Sequence, residues 1–285
     1  MTRVPTRVLT LCADDFGLSP GISAGIARLA HSKRLSAVSC ITNSPHWVAQ
    51  APQLSGLPDT VDVGLHLNFT EGAPLSPRLA RRWPVLPSVG SLILRAHLGL
   101  LPRGGELRGE VHAQLRAFIH EHGETPSFID GHQHVHHLPG LRDTILDMAE
   151  HVQPLPAIRN TGRLLGPGHA FKRWVIERSG GRALEKSLRQ RVLAHNPVLL
   201  GAYDFQQEDY GALMRQWLKR LPPEGGLLFC HPGLHDPADP PDAIGAARAR
   251  EFAYLASPDF SDDLRDADVV LGRAWRTIER PQPRR

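Results

Sequence analysis

A chain of 285 residues, 41% apolar and 22% charged, has a globular composition: it is long enough to bury a sizeable core and too apolar for wholesale disorder. The formal charge of +4 and the pI near 9.2 come from arginines spread along the chain, with a short terminal cluster at Arg280, Arg284 and Arg285. A nucleic-acid binder would concentrate its basic residues with aromatics, so no nucleic-acid partner is expected.

The first predicted strand runs from Val8 to Ala13 and leads straight into Asp14-Asp15. Ser19-Pro20 then supplies an N-cap with proline in the first helical turn, and Ile22, Ile26, Leu29 and Ala30 continue at helical spacing. A second strand is predicted over Ala37 to Ile41, followed by a turn at Pro45-His46-Trp47 into another helical segment. A third, Val61 to Leu67, carries His66 near its end. From Thr70 to Gly105 the rhythm is lost among five prolines, and only Ser91 to Leu101 has the pattern of a short helix. A long excursion after a strand that carries a site residue predicts either a loop over that site or a plain surface insertion.

Leu107, Val111, Leu115, Phe118 and Ile119 form one amphipathic helical face, stopped by Gly123 and Pro126. Ser127 to Asp130 is the next strand and opens the histidine cluster. Ala157 to Asn160, Val198 to Tyr203 and Leu227 to Cys230 are later strands, and Val269 to Leu271 is a weak last one. Strands separated by helical segments predict an α/β fold, an irregular TIM-like (β/α) barrel of seven or eight mostly parallel strands, with an open doubly wound sheet as the alternative. With no repeat or linker evident, a single domain over residues 1–285 is expected, carrying the irregular insertion around 70–105.

Cys12, Cys40 and Cys230 are odd in number and widely spaced, each inside an apolar run, which predicts buried free thiols in a reducing compartment. The apolar run at Val8 to Ala13 is too short for a signal-peptide core, and no stretch approaches the roughly 20 apolar residues of a membrane span. A cytoplasmic location is the expectation. The oligomeric state is not readable, although barrel enzymes often form symmetric homodimers.

A (β/α) barrel builds its active site at the C-terminal ends of its strands, and Asp14-Asp15, His66, His132 and His231 all fall there. Taken singly, each has an ordinary explanation: aspartates cap helices, and buried histidines are usually satisfied by neighbours. Together they form a set suited to a metal hydrolase. Two adjacent carboxylates repel unless a cation relieves them. Strand alternation would place His132, His134 and His136 on one face, with His137 beside them. An aspartate oxygen with two imidazoles makes a mixed site that leaves positions open for water and substrate. One divalent ion is expected, magnesium or zinc foremost; the nitrogen ligands favour zinc, manganese, cobalt or nickel, while a carboxylate and waters could hold magnesium.

Ala13-Asp14-Asp15-Phe16-Gly17-Leu18-Ser19, Gly64-x-His66, Asp130-x-His132-x-His134-Val135-His136 and Cys230-His231-Pro232, in this order and spacing, resemble the YdjC-like (ChbG/HpnK) carbohydrate deacetylase family. The similarity runs from about Val8 to about Gly233. It implies an irregular barrel that hydrolyses the N-acetyl group of an amino sugar, with Asp15, His66 and His132 as metal ligands, Asp14 as general base and His231 as general acid. Asp130, His134 and His136 would orient the ligands or bind the sugar, or one histidine of the cluster would replace His132 as ligand. Arg159 would position Asp14 or the substrate, or be a solvated loop arginine. The substrate expected is an N-acetylated mono- or oligosaccharide or a glycolipid headgroup. Thr70 to Gly105 and everything after Gly233 match no motif of the family. A metal-dependent phosphoesterase or amidohydrolase, or a non-catalytic saccharide-binding protein, are the alternatives.

Overall fold

A computed structural model describes residues 6–102 and 105–277; the terminal arginines Arg280, Arg284 and Arg285 lie outside them. Eight strands form one sheet: β1 (Arg7–Phe16), β2 (Ala37–Cys40), β3 (Asp62–Leu67), β4 (Phe128–Gly131), β5 (Ala157–Ile158), β6 (Leu199–Leu200), β7 (Gly226–Cys230) and β8 (Val269–Leu271). Seven follow one curl in the order β5-β4-β3-β2-β1-β7-β6, every pairing is parallel, and β8 joins the start of β1. Between β5 and β6 there are only isolated bridges, Ile158 to His195 and Leu164 to Leu199, so the curl is a half-barrel surrounded by helices. This is the irregular (β/α) barrel class expected. Among the described residues no helix is long and apolar enough to cross a membrane.

The strands are continuous apolar runs because helices cover the outer face and side chains fill the inner one. All of β2, β3, β4 and β7 is buried, as are Cys12, Cys40 and Cys230, which are free thiols. Ser19 caps the helix Pro20–His31, its hydroxyl accepting from the Ile22 N–H, with Pro20 in the first turn. The helix Glu106–His122 buries Leu107, Val111, Leu115 and Phe118 and stops at Gly123, left-handed at φ 86°.

The sequence reading needs correction at three places. First, β1 does not end at Ala13: it continues through both aspartates to Phe16, with a register shift against β2 between Ala13 and Phe16. Second, the excursion holds two helices, Pro77–Arg82 and Val89–His97, rather than one from Ser91 to Leu101. Both start at serine caps, Ser76 and Ser88, and Ser76-Pro77 repeats the start signal of Ser19-Pro20. Third, His132–His137 is a 3-10 turn and not a strand, with Gln133 and His134 left-handed at φ 53° and 63°. Alternation therefore does not apply, and the imidazoles of His132, His134 and His136 diverge.

Candidate active site

The bulge in β1 decides what its two aspartates can do. In a regular strand, consecutive side chains point to opposite faces; here Asp15 takes φ 74°, which re-aims both carboxylates toward the C-terminal end of the sheet. Gly17, at φ 90°, then turns the chain where an added Cβ would lie 2.6 Å from the Ile41 carbonyl oxygen. Asp14 and Asp15 thus reach different partners and avoid facing each other.

Asp15 Oδ1 lies 2.9 Å from His132 Nδ1 and 3.5 Å from His66 Nε2, and its Oδ2 accepts from Arg248 Nη2 at 2.8 Å. Ligand atoms of Asp15, His66 and His132 all lie within 4.8 Å of one another, and all three residues are buried. His66 comes from β3, whose register sets it beside Asp130 of β4; its Nδ1 is 2.6 Å from Asp130 Oδ1, an oxygen that also accepts from Ser39 Oγ at 2.6 Å. The outer nitrogen of His132, Nε2, is 3.1 Å from Glu71 Oε1. Each imidazole therefore has one nitrogen held from outside and the other turned inward. That is how a metal-binding histidine is oriented.

Burial alone would raise the Asp15 carboxyl, but Arg248 and His132 hold it well below the usual carboxylate range. Burial would likewise lower the two imidazoles. The facing carboxylates prevail instead, Asp130 and Asp14 lifting His66 to about 10 and Asp15 lifting His132 to about 9. The cluster calls for positive charge at its centre, which a divalent cation supplies as well as protons do, so these three residues fit a metal.

Asp14 is gripped by Arg159, whose Nη1 and Nη2 donate to its two oxygens at 2.6 Å each, while the same Nη2 lies 2.5 Å from Asp130 Oδ2. Arg159 has no exposed surface, so it is not a solvated loop arginine. It links the base candidate to the carboxylate that orients His66. Cys12, Asp14 and Asp130 form a second cluster with metal-like spacing, but this guanidinium already sits among them, with Nη2 3.1 Å from Cys12 Sγ.

His231, just past β7, lines the same cavity as Asp14, Asp15, His66 and His132. Its backbone N–H donates to Glu251 Oε2 at 2.5 Å, its Nδ1 has no hydrogen-bond partner among the described residues, and burial holds its imidazole at about 4. His134 also lines the cavity, packed edge-on against Phe229 at 5.1 Å, and desolvation keeps it well below the usual histidine value. His136 stands away from the Asp15–His66–His132 cluster, its Nε2 2.9 Å from the Arg159 carbonyl oxygen, with burial pushing it down to about 4.

Four site residues escaped the sequence reading: Glu71, Asp242, Arg248 and Glu251. Arg248 also donates from Nε to Asp242 at 2.6 Å, and Glu251 accepts from the Tyr203 hydroxyl. Glu71 was signalled only by its position three residues beyond His66-x-Asn68. Arg248 and Glu251 lie beyond Gly233, where no motif marks a site; they fall on the helix Gly245–Ala256, and both are buried. The cavity holds about 1150 Å³, and both regions without a family motif wall it, through Glu71, Val89 and Ile93 on one side and residues 234–246 on the other. Trp47, Trp83 and Tyr203, the aromatics suited by type to a sugar face, do not line it.

A sequence profile described as YdjC-like protein matches residues 8–266. The chain belongs to the YdjC-like family. Similar proteins include the carbohydrate deacetylase of Xenopus laevis, 34% identical over 149 residues, 50% of this chain and 47% of the relative. The chitooligosaccharide deacetylase of Enterobacter sp. (strain 638) is 33% identical over 142 residues, 47% of this chain and 52% of the relative. The chain thus matches about half the length of these relatives. A crystal structure from Enterococcus faecalis V583, of a protein provisionally named for cellobiose-phosphate cleavage, superposes with a TM-score of 0.72 over 95% of this chain and 98% of its own. At 20% identity that likeness speaks for the fold alone.

Proposed function

We propose that this YdjC-like protein is a metal-dependent hydrolase that removes the N-acetyl group of an amino sugar, releasing acetate. The observation that carries this reading is the convergence of Asp15 Oδ1, His66 Nε2 and His132 Nδ1 beside an Arg-held Asp14 on the wall of a saccharide-sized cavity. The names of its relatives supply the substrate class.

Asp15, His66 and His132 would hold one divalent cation, which when bound supplies Lewis acidity to the acetamide carbonyl and to water. Asp14 accepts the proton of the attacking water, and Arg159 fixes both of its oxygens so that one orientation is kept. His231 protonates the leaving amine. Because its imidazole is uncharged in the free protein, the proton it delivers arrives during turnover, when Asp14 has received one. The C–N bond breaks, the acetyl carbon gains the water oxygen, and the products are acetate and a free amino sugar.

Acetate release from N-acetylated mono- and oligosaccharides, by protein stripped of metal and then resupplied with single divalent cations, tests this directly. Release that returns only with a cation is expected. Absence of release from every sugar with metal demonstrably bound would overturn the reading.

A further inference from the structure

Charge that reads as spread along the sequence gathers at two elements. Residues 70–108 hold six arginines and two glutamates, and residues 170–191 hold seven basic residues and two glutamates. Together they carry 13 of the 33 basic residues of the chain but only four of its 29 acidic ones. Both elements wall the cavity, the first through Val89 and Ile93 and the second through Phe171 and Val175.

The same two elements carry seven of the eleven large apolar side chains exposed among the described residues. On the helix Val89–His97 and just beyond it, Leu94, Leu98 and Leu100 are 58–60% exposed, and Val85 before it is 71% exposed. On the helix Ala170–Ile176, Phe171 and Trp174 are 75% and 52% exposed and stack at 5.9 Å. Leaving this apolar surface in water is costly, and its concentration on two elements that both wall the cavity marks a surface that is covered in use.

Arg81, Arg82, Arg95 and Arg178 lie exposed among these side chains, with Arg82 and Leu100 sharing one surface depression. None of the four pairs with a carboxylate among the described residues, unlike Arg182 and Arg189, which do. Unpaired arginines interleaved with leucines and an aromatic pair match the two layers of a lipid interface, anionic headgroups over acyl chains. A second copy of the chain would bring one basic rim against another. Nucleic acid would satisfy the arginines but leave the leucines and Val85 unserved.

The geometry points to a membrane-docking rim: the mouth of the cavity rests on an anionic phospholipid surface, with Leu94, Leu98, Phe171 and Trp174 entering the headgroup layer. It does not depend on the reaction assigned to the site, because binding is read without turnover.

The test is co-sedimentation with vesicles of phosphatidylcholine alone or mixed with phosphatidylglycerol. The full chain is expected to sediment with the mixed vesicles, not with phosphatidylcholine alone, and to be released by salt. Phe171→Ser with Trp174→Ser should raise the half-saturating lipid concentration on the order of tenfold or more, and Arg81→Gln with Arg82→Gln on the order of tenfold. Leu155→Ser, at an exposed position outside both elements, should change nothing. Because all of these positions are on the surface, circular dichroism should show each variant folded. No sedimentation with anionic vesicles, or equal loss in the Leu155 variant, would overturn the inference. So would displacement of bound protein by an oligonucleotide with the Phe171/Trp174 variant unaffected, or a dimer that this variant abolishes in the absence of lipid.

Discussion

Replacing Arg159 by methionine removes the one guanidinium that joins Asp14 to Asp130 while filling much the same space. Three contacts of 2.5–2.6 Å are lost at a residue with no exposed surface. Breaking a buried ion pair costs about 3–5 kcal/mol, because the remaining charge stays buried and uncompensated. Asp130 keeps His66 and Ser39, whereas Asp14 keeps only the Cys12 thiol at 3.5 Å among the described residues, so the loss at pH 7 should fall near the upper end, about 5 kcal/mol. That is a third or more of the ~5–15 kcal/mol that holds a typical domain together. Burial alone would raise the Asp130 carboxyl, but Arg159 and His66 hold it below its usual range; this contribution to stability is present above the unfolded carboxyl value and is lost as pH falls through the folded one. The gap between Arg159→Met and the parent protein should therefore narrow as pH falls below about 4. Urea denaturation at pH 7 and in acid measures both quantities. Arg159→Lys keeps the charge without the fork and should fold, losing about 10–100-fold in kcat with KM changed less. A methionine variant within about 1 kcal/mol of the parent at pH 7, or a lysine variant with full turnover, would refute the reasoning.

Asp14→Asn should retain metal, measured by equilibrium dialysis, yet lose acetate release, whereas His66→Ala should lose the metal itself; equal metal loss in both would make Asp14 a ligand. His134→Ala should leave metal affinity within about threefold, since its imidazole meets Phe229 rather than the cluster; a loss of 10–100-fold would place it among the groups that orient the ligands. Burial raises Glu251 from 4.5 to about 7, even with Tyr203 and the His231 N–H bonded to it. Between those values the unfolded chain has released the proton and the folded one keeps it, so stability falls as pH rises across that window, by about 3 kcal/mol in all. Glu251→Gln should remove this slope, read as unfolding free energies at pH 5 and pH 8; parallel profiles for variant and parent would exclude a proton on Glu251.

The strands and the residues at their ends were legible because a buried parallel strand is a continuous apolar run and a polar residue just after one stands out. Asp14, Asp15, His66, His132 and His231 were found on that contrast, and they converge on one cavity. The His-x-His-x-His pattern misled because its alternation is real in sequence but void in a backbone that turns left-handed at Gln133 and His134, where no glycine signals the turn. Arg248 and Glu251 were invisible for a different reason. They lie in a stretch that matched no motif, and only the fold shows that their side of the helix Gly245–Ala256 is turned inward, onto Asp15 and the backbone of His231. Glu71 was hidden inside an excursion whose geometry follows from tertiary packing rather than from any local period.

β1 is bonded on both edges, to β7 over Leu9–Ala13, to β2 from Cys12 to Phe16 and to β8 at its start, and it carries Asp14 and Asp15 at its far end. Its amides should exchange with solvent only when the whole sheet opens, making this the slowest-exchanging segment of the chain. Residues 70–105 and 234–246 wall the same cavity from outside the sheet and, apart from Glu71 and Asp242, which hold His132 and Arg248, can be varied without disturbing a strand. On the proposed function, the groups set at the strand ends and most of the walls that meet the substrate are thus separately heritable, so one scaffold could acquire new substrates while its chemistry stays fixed.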